Sequence, residues 1–171
     1  FKITMKQKVS NWSNNKIIFS NLYRPHNIIE IRKILKKNKQ IISRGSGFNY
    51  SDATFSKNII NLKNIKKKFE VNLKKKIIVC SSNFLLKELL DFAEKKKLTL
   101  PILPGTANIT VAGAIAADVH GKNHSNLGSF CNHLLEIDIM CSNGKIIKCS
   151  ERKNKNLFRA TCGGMGLTGI I

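Results

Sequence analysis

The chain has 171 residues, 42% of them hydrophobic, and its 30 Lys and Arg against 10 Asp and Glu give a formal net charge of +20. This length suits one sizeable domain or two small ones with a real core. No apolar run approaches the ~18 to 20 residues that a transmembrane helix needs. Residues 1–8 show no signal-peptide pattern.

The positive charge has two interpretations. A basic surface would suit a polyanion such as nucleic acid or an anionic membrane. Alternatively, A/T-rich codons explain it, since Lys, Asn and Ile are over-used together. The lysine runs lack the interleaved aromatic side chains on which nucleic-acid bases stack. We therefore favour a solvated surface over a nucleic-acid-binding module, and expect a weak attraction to anionic lipid headgroups.

The five cysteines are odd in number and widely spaced, with no CxxC pair. This pattern argues against a disulfide framework and against a zinc site. We expect free, mostly buried thiols in a reducing compartment, and hence a cytoplasmic protein. Its basic surface would allow association with a membrane.

The first hundred residues predict strands alternating with two helices. The predicted strands are 16–22, 40–43, 58–62, 69–73 and 75–82. The first helix, 27–39, has an apolar face of Ile28, Ile31, Ile34 and Leu35. The second helix, 83–97, has Asn83 as its predicted N-cap. Its apolar face consists of Leu85, Leu86, Leu89, Leu90 and Ala93.

The remaining residues predict a helix of small side chains over 110–118 and a hairpin over 134–150. In the hairpin Leu135, Ile137 and Ile139 alternate, and Asn143-Gly144 predicts a two-residue type I′ turn. A short helix is expected within 154–166, and 167–171 reads as the beginning of a strand. The pattern is that of an α+β fold, with a division into two lobes near residue 100.

The first glycine-rich loop, residues 44–53 (RGSGFNYSDA), follows a predicted strand. The alternate glycines Gly45 and Gly47 allow positive φ and turn successive N–H groups toward one point, which makes an anion-binding nest. A pyrophosphate is the natural occupant, although an ordinary Gly-Ser turn has the same residues. The loop is not a GxGxxG motif, because Tyr50 stands at the third glycine position, and no P-loop Gly-Lys-Ser/Thr follows.

The second glycine-rich loop begins at Pro101, and residues 101–117 carry no charged side chain. The small residues of 110–117 would let a helix N-terminus approach a flat, anionic ligand closely. A tight contact between two helices also selects Ala and Gly and remains the alternative. His120, His124 and His133 follow without clustered Cys or Glu, so we expect no metal site.

Three segments resemble a known family. They are RGSGFNYSDA (44–53), LPILPGTANITVAGAIAADVHGKNHSNLGSFCNH (100–133) and NLFRATCGGMGLTGII (156–171). They resemble the flavin-dependent oxidases with a vanillyl-alcohol-oxidase type (PCMH-type) FAD-binding domain, and within that family the decaprenylphosphoryl-β-D-ribose oxidases. The resemblance extends over the chain but covers only the first part of such an enzyme. We therefore expect a fragment that lacks the C-terminal substrate domain.

The resemblance implies an FAD-binding domain over 1–171, with one subdomain over about 10–100 and an incomplete second one over 101–171. The first loop would hold the pyrophosphate, the second would line the dinucleotide and the isoalloxazine, and Ile171 would lie on the adenine side. The implied cofactor-binding residues are Arg44, Gly45, Ser46, Gly47, Phe48, Asn49, Tyr50, Ser51, Asp52, Ala53, Gly105, Thr110, Val111, Ala112, Gly113, Ala117, Asp118, Val119, His120 and Ile171. The implied substrate-side residues are Tyr50, His120, Gly121 and Lys122.

Two departures from the family pattern matter. Many relatives have a flavin-linked His where Phe48 or Asn49 stands here, so we expect FAD to be bound non-covalently. The usual glycine after the loop tyrosine is Ser51, which would be strained if that position needs positive φ.

The implied activity is hydride transfer from a secondary alcohol carbon of a sugar to FAD. The implied substrate is a polyprenylphosphoryl ribose-like molecule, oxidised to its 2-keto form, and an electron acceptor then reoxidises FAD. Aldonolactone or alditol oxidases, of the L-gulonolactone or D-arabinono-lactone type, are the alternative. The catalytic base is expected beyond Ile171, and the fragment alone should be inactive.

Overall fold

The computed structural model describes residues 6–50 and 52–171. A four-stranded sheet forms the first part. Its strands are β1 (Lys6–Ser10), β2 (Ile17–Tyr23), β3 (Ile42–Ser43) and β4 (Asn58–Ile60). Their order is β1-β2-β4-β3, with β1 antiparallel to β2 and β4 parallel to both neighbours. Because β3 and β4 are parallel neighbours, the residues that follow them, Arg44 and Asn61, come together at one edge.

The helix α1 (Ile28–Lys37) covers this sheet and confirms the first predicted helix. Asn27 caps it, since its side chain accepts a hydrogen bond from the Glu30 N–H at 2.9 Å. Ile31 and Ile34 are buried, as expected from the helical period. Ile28 was wrongly assigned to the apolar face, because it lies in the first turn and stays 46% exposed.

A hairpin, β5 (Phe69–Asn72) and β6 (Ile77–Cys80), leads to the helix α2 (Leu86–Glu94). The prediction that Asn83 caps this helix is wrong. Asn83 is buried and donates to the carbonyls of Leu62 at 3.0 Å and Ile65 at 2.9 Å. Leu85 occupies the N-cap position, and its N–H donates to the Glu88 carboxylate at 2.7 Å. The Asn83 side chain therefore makes two long-range hydrogen bonds instead of capping α2.

The second part contains three helices and a hairpin. They are α3 (Val111–Ala116), α4 (His124–Leu127), β7 (Ile137–Met140), β8 (Ile146–Cys149) and α5 (Lys155–Thr161). A 3-10 turn, Phe130–His133, follows α4. The predicted strand at 167–171 is represented by one bridge, in which Ile170 pairs with Met140.

The hairpin of β7 and β8 was predicted correctly, but its turn was not. Among residues 141–145, all of which are described, Gly144 has a positive φ of 79° and Asn143 does not. A type I′ turn needs positive φ at both central residues. Instead the Gly144 N–H bonds to the Cys141 carbonyl, and Cys141 and Lys145 close a longer loop. Leu135, predicted to alternate with Ile137, lies before the strand and is 61% exposed.

The largest core cluster joins α2, α3, the β7–β8 hairpin and α5. Its buried members are Leu86, Leu89, Val111, Ala114, Ile115, Ile137, Ile139, Cys149 and Phe158. The α+β class is confirmed. The division into lobes near residue 100 stays a prediction, and α2, which precedes that point, packs with elements that follow it. Across residues 6–50 and 52–171, none of the helices combines the length and hydrophobicity needed to cross a membrane.

Candidate cofactor site

A cleft of about 840 Å³ lies between three segments of the chain, 43–50, 104–120 and 165–171. The end of β4 and the residues before α2 complete its wall. Its volume is within the ~300–1,000 Å³ typical of clefts that hold small-molecule ligands. Both glycine-rich loops identified in the sequence therefore face one cleft.

The first loop leaves β3 and is held by the strand beside it. The Arg44 N–H donates to the Ile60 carbonyl at 2.9 Å. The Asn61 side-chain amide donates to the carbonyls of Arg44 at 2.7 Å and Gly45 at 3.0 Å. Within the described residues, the N–H groups of Gly45 and Ser46 have no hydrogen-bond acceptor. These two N–H groups of the predicted nest are therefore available to donate to an anion, although of its two glycines only Gly47 has the expected positive φ.

The Arg44 side chain turns back across the base of the first loop. Its guanidinium donates to the Thr54 hydroxyl at 2.7 Å and to the Ser10 carbonyl at 2.6 Å, and it lies 5.8 Å from the centre of the Phe55 ring. Burial lowers the pKa of Arg44 from its ordinary value. Gly47, with φ of 82°, packs against this guanidinium, where a side chain would collide.

The second loop contributes the first turn of α3. The Thr110 hydroxyl caps this helix by accepting from the Gly113 N–H at 3.0 Å. The same hydroxyl lies against Gly45, and a Cβ at Gly45 would overlap it. The two loops therefore touch at Gly45 and Thr110, and this contact leaves no room for a side chain at position 45.

The third segment, 165–171, from which only Ile171 was predicted to bind the cofactor, also contributes Met165 and Gly166. The Met165 N–H donates to the Ala116 carbonyl at 2.8 Å, and its sulfur lies 3.6 Å from the Asn49 side-chain nitrogen. Met165 has a φ of 53°, a conformation that costs about 1–2 kcal/mol for a residue with a side chain. This methionine joins the first loop to α3.

The side chain of Ser82 and the backbone of Ile171 meet at the far wall of the cleft. The Ser82 hydroxyl donates to the Ile171 oxygen at 2.5 Å, and both residues line the cleft. Asn83 lies beside them, and its side-chain oxygen is buried without a partner among the described residues.

Lys67 lines the same wall and pairs with Glu88 of α2. Its ammonium lies 2.5 and 2.6 Å from the two carboxylate oxygens and 5.1 Å from the centre of the Phe84 ring. Burial acts to raise the pKa of Glu88, but the hydrogen bonds from Lys67 and from the Leu85 N–H, with the charge of Lys67, outweigh it. The pKa of Glu88 is therefore lowered.

The exposed rings of Tyr50 and His120 line the cleft. Tyr50 is 85% exposed, and the exposed His120 has its ring centre 5.4 Å from that of His124. Behind Tyr50, the ring of Phe48 packs edge-on against Trp12, with centroids 4.6 Å apart. Within residues 6–50 and 52–171, no three His, Cys, Asp or Glu side chains are grouped to hold a metal ion.

Most of the predicted cofactor residues line this cleft. They are Arg44, Gly45, Ser46, Gly47, Phe48, Asn49, Tyr50, Gly105, Thr110, Ala112, Gly113, Ala117, Val119, His120 and Ile171. The remaining described ones are not in the lining; they are Asp52, Ala53, Val111 and Asp118. Ser51 lies outside the described residues.

The residues outside the lining have other contacts. Val111 is buried in the core, and Asp52 pairs with Lys16 at 3.2 Å. The Asp118 carboxylate accepts from the Ser129 hydroxyl and the Cys131 N–H, both at 2.9 Å. Neither Gly121 nor Lys122, assigned to the substrate side, lines the cleft.

Gly121 is buried, and a Cβ there would come within 2.7 Å of the Leu103 carbonyl oxygen. A glycine is therefore needed at this position, because the Leu103 backbone approaches too closely for a side chain. Lys122 is exposed. Their substrate-side role stays a prediction.

Several lining residues are absent from the predicted cofactor-binding residues, although Pro104, Ile109 and Ala116 lie in the second glycine-rich loop identified from the sequence. The full set is Ser43, Thr54, Ile60, Asn61, Leu62, Lys63, Lys67, Ser82, Asn83, Leu85, Pro104, Ile109, Ala116, Met165, Gly166 and Ile170. Most follow strands or precede helices that only the tertiary fold brings to the cleft. A local signal existed for Met165, which stands among the glycines Gly163, Gly164 and Gly166.

The cysteines lie outside the cleft lining and are free in the described structure. Burial raises the pKa of Cys80 to about 11 and also raises the pKa of Cys131 and Cys162. Their thiolate forms are therefore disfavoured at neutral pH.

The sequence profile of the FAD binding domain family matches residues 20–150, more than half of the chain. The chain belongs to this family. FAD is thus its cofactor, and the cleft fits such a group: two unpartnered backbone N–H groups suit phosphate oxygens, and small residues at Ala112 and Gly113 leave room for a flat ring.

Among known proteins, the FAD-domain chain is similar to decaprenylphosphoryl-beta-D-ribose oxidase of Mycolicibacterium smegmatis, with 34% identity over 77% of this chain and 29% of that protein. It is also similar to a putative D-arabinono-1,4-lactone oxidase of Neurospora crassa, with 28% identity over 94% of this chain and 30% of that protein. L-gulonolactone oxidase of Bos taurus is 25% identical over 96% of this chain and 38% of that protein. The chain spans about a third of the length of these relatives.

Proposed function

We propose that this chain is the FAD-binding part of an oxidoreductase that transfers hydride from a CH–OH group of a sugar to FAD. The observation that carries the proposal is the meeting of the two glycine-rich loops, through Gly45 and Thr110, at one cleft of a chain in the FAD binding domain family. The competing interpretation, a basic nucleic-acid-binding module, does not account for this cleft.

In the proposed arrangement the first loop holds the pyrophosphate. The second loop lies beside the isoalloxazine, and Ile171 lies on the adenine side. The cofactor supplies the hydride-accepting ring, while the chain binds it, orients it and limits the access of water. We assign to His120, an exposed residue of the cleft lining, the role of stabilising negative charge on the reduced ring. The base that removes the hydroxyl proton is assigned to residues beyond Ile171.

The proposed substrate is a polyprenylphosphoryl ribose-like molecule, oxidised to its 2-keto form. Support comes from the similarity to decaprenylphosphoryl-beta-D-ribose oxidase and from the net charge of +20, which suits an anionic lipid. The proposal includes peripheral contact with a membrane and reoxidation by a separate electron acceptor.

The second candidate is oxidation of an aldonolactone or alditol. The relatives named for such activities align with 94% and 96% of this chain, more than the 77% aligned with the ribose oxidase. Both candidates share the FAD-binding part and differ in the substrate.

Anaerobic mixing of the complete, purified protein with each substrate tests the proposal. A short-chain polyprenylphosphoryl ribose should bleach the flavin absorption band, whereas L-gulono-1,4-lactone and D-arabinono-1,4-lactone should not. Bleaching by a lactone alone would favour the second candidate, and a colourless protein would refute both.

Acid precipitation tests the non-covalent attachment. Many members of the resembled family link flavin to a histidine at the position of Phe48 or Asn49, and because neither residue is a histidine here, the yellow colour should pass into the supernatant. Colour retained in the pellet would show a covalent bond.

A further inference from the structure

The position of Arg44 is unexpected for a phosphate-binding cation. Its guanidinium donates hydrogen bonds to the Thr54 hydroxyl at 2.7 Å and to the Ser10 carbonyl at 2.6 Å. These bonds hold the start of the first loop in place. The guanidinium also packs under Gly47, which admits no side chain there. Two of its five donors, and the face toward Phe55, are therefore used within the protein.

Asn61 holds the same loop by its carbonyl groups. Its amide donates to the Arg44 and Gly45 carbonyls, and its own oxygen accepts from the Lys63 N–H at 3.0 Å. The Asn61 N–H is anchored to the Tyr23 carbonyl at 2.9 Å. Each polar group of the Asn61 side chain is thus engaged, and the residue is fixed to the central sheet.

The geometry of the peptide bond links these contacts to anion binding. In a trans peptide the carbonyl of one residue and the N–H of the next point in opposite directions. When Asn61 binds the carbonyls of Arg44 and Gly45, the N–H groups of Gly45 and Ser46 are turned away from it. Neither of these two N–H groups has an acceptor among the described residues, and both residues line the cleft.

We infer that Arg44 and Asn61 are positioning residues, which fix the first loop so that the N–H groups of Gly45 and Ser46, rather than the Arg44 charge, receive the pyrophosphate. The inference rests on the proposed placement of the pyrophosphate at this loop. A nest that is already formed before the ligand arrives avoids the entropy cost of ordering it during binding.

Ligand fragments separate positioning from general folding. In the complete protein stripped of its cofactor, dissociation constants are measured for FAD, for ADP, which keeps the pyrophosphate, and for riboflavin, which lacks it. Asn61→Ala should weaken FAD and ADP about tenfold, the effect of losing one or two well-placed hydrogen bonds. Riboflavin binding should not change. Asn64→Ala, an exposed asparagine three residues later, is the matched control and should leave all three constants unchanged.

Arg44→Lys tests the role of the charge. Lysine keeps the positive charge but lacks the planar fork that reaches Thr54 and Ser10 together. If Arg44 positions the loop, this variant loses FAD and ADP affinity about as much as Asn61→Ala. Unchanged affinity for FAD would show that charge is sufficient and would overturn the inference.

Four further outcomes are distinguished. Equal weakening of FAD and riboflavin by Asn61→Ala would indicate general damage and overturn the inference. If Asn61→Ala does not fold, Arg44→Lys and Thr54→Val, which removes one of the two acceptors of the guanidinium, answer the same question. If the unaltered protein binds no FAD, the proposed function itself fails, whereas FAD binding that is insensitive to these variants removes only this inference.

Discussion

The two loops that face the cleft are held in different ways. The first loop has no regular structure, and side-chain hydrogen bonds from Asn61 and Arg44 fix it. The second loop contains α3, whose Val111, Ala114 and Ile115 are buried in the main core. One loop is therefore fixed by polar contacts to backbone atoms, and the other by hydrophobic packing.

This difference predicts that the two loops fail differently. Hydrogen bonds contribute little net stability but define directions, whereas buried side chains contribute much stability without direction. Substitutions in the first loop should mainly change cofactor affinity. Substitutions on the buried face of α3 should mainly change the stability of the fold.

The largest effect is expected for Ile115→Ala. Ile115 is 2% exposed, and its truncation leaves a cavity that should cost about 2–5 kcal/mol of unfolding free energy. Ser46→Ala, at an exposed position of the first loop, should change stability by less than about 0.5 kcal/mol. Thermal unfolding of the complete protein compares them, and equal shifts in melting temperature would contradict the contrast.

Gly113→Val should abolish flavin retention while leaving the fold largely intact. The nearest heavy atom to a Cβ at Gly113 is the Thr110 hydroxyl oxygen at 3.1 Å, so the added side chain projects chiefly into the cleft. Overlap of this kind costs about 1–3 kcal/mol, or roughly 5- to 150-fold in affinity. Gel filtration followed by a visible spectrum measures the retained flavin. Flavin that stays bound would show that the ring is placed wrongly.

Gly45→Ala tests the contact between the loops. The added methyl group overlaps the Thr110 hydroxyl and should weaken FAD binding by about 1–2 kcal/mol. Thr110→Ala removes the hydroxyl that the added methyl group would overlap. It also removes the N-cap of α3, which should lower the stability of the fold by about 1 kcal/mol. The double variant should therefore bind FAD better than the sum of the single effects predicts. If the effects of the two substitutions on FAD affinity are strictly additive, Gly45 and Thr110 are not in the close contact described here.

The smallest effect concerns the Lys67–Glu88 pair on the cleft wall. The lowered pKa of Glu88 contributes stability that is present above its ordinary pKa of 4.5 and is lost as pH falls through the lower folded value. Because the two side chains are 33% and 39% exposed, Glu88→Gln should cost below about 1 kcal/mol at pH 7. The difference in melting temperature should vanish at acidic pH below the folded pKa. If the difference in melting temperature persists at that acidic pH, the effect of Glu88→Gln comes from packing and not from the ion pair.

Local patterns predicted much of the fold. The helical period over 27–39 and over 83–97 located α1 and α2, and the alternation around Ile137 and Ile139 located β7. β1 was missed, since its Lys-rich sequence KQKVS has little apolar alternation. The N-cap of α2 and the turn at Asn143 were wrong because distant carbonyls and a longer loop overrode local preferences.

The sequence by itself located the two glycine-rich loops, because backbone freedom and small side chains are properties of short segments, and its resemblance to the flavin-dependent oxidases predicted FAD as the cofactor. Tertiary structure alone decided how those loops are fixed. The parallel pairing of β3 with β4 brings Asn61 to the first loop, and the fold of 162–166 brings Met165 to Asn49. These contacts join residues far apart in the sequence, so no local pattern encodes them. The Asn61 contacts also turn the N–H groups of Gly45 and Ser46 away from Asn61.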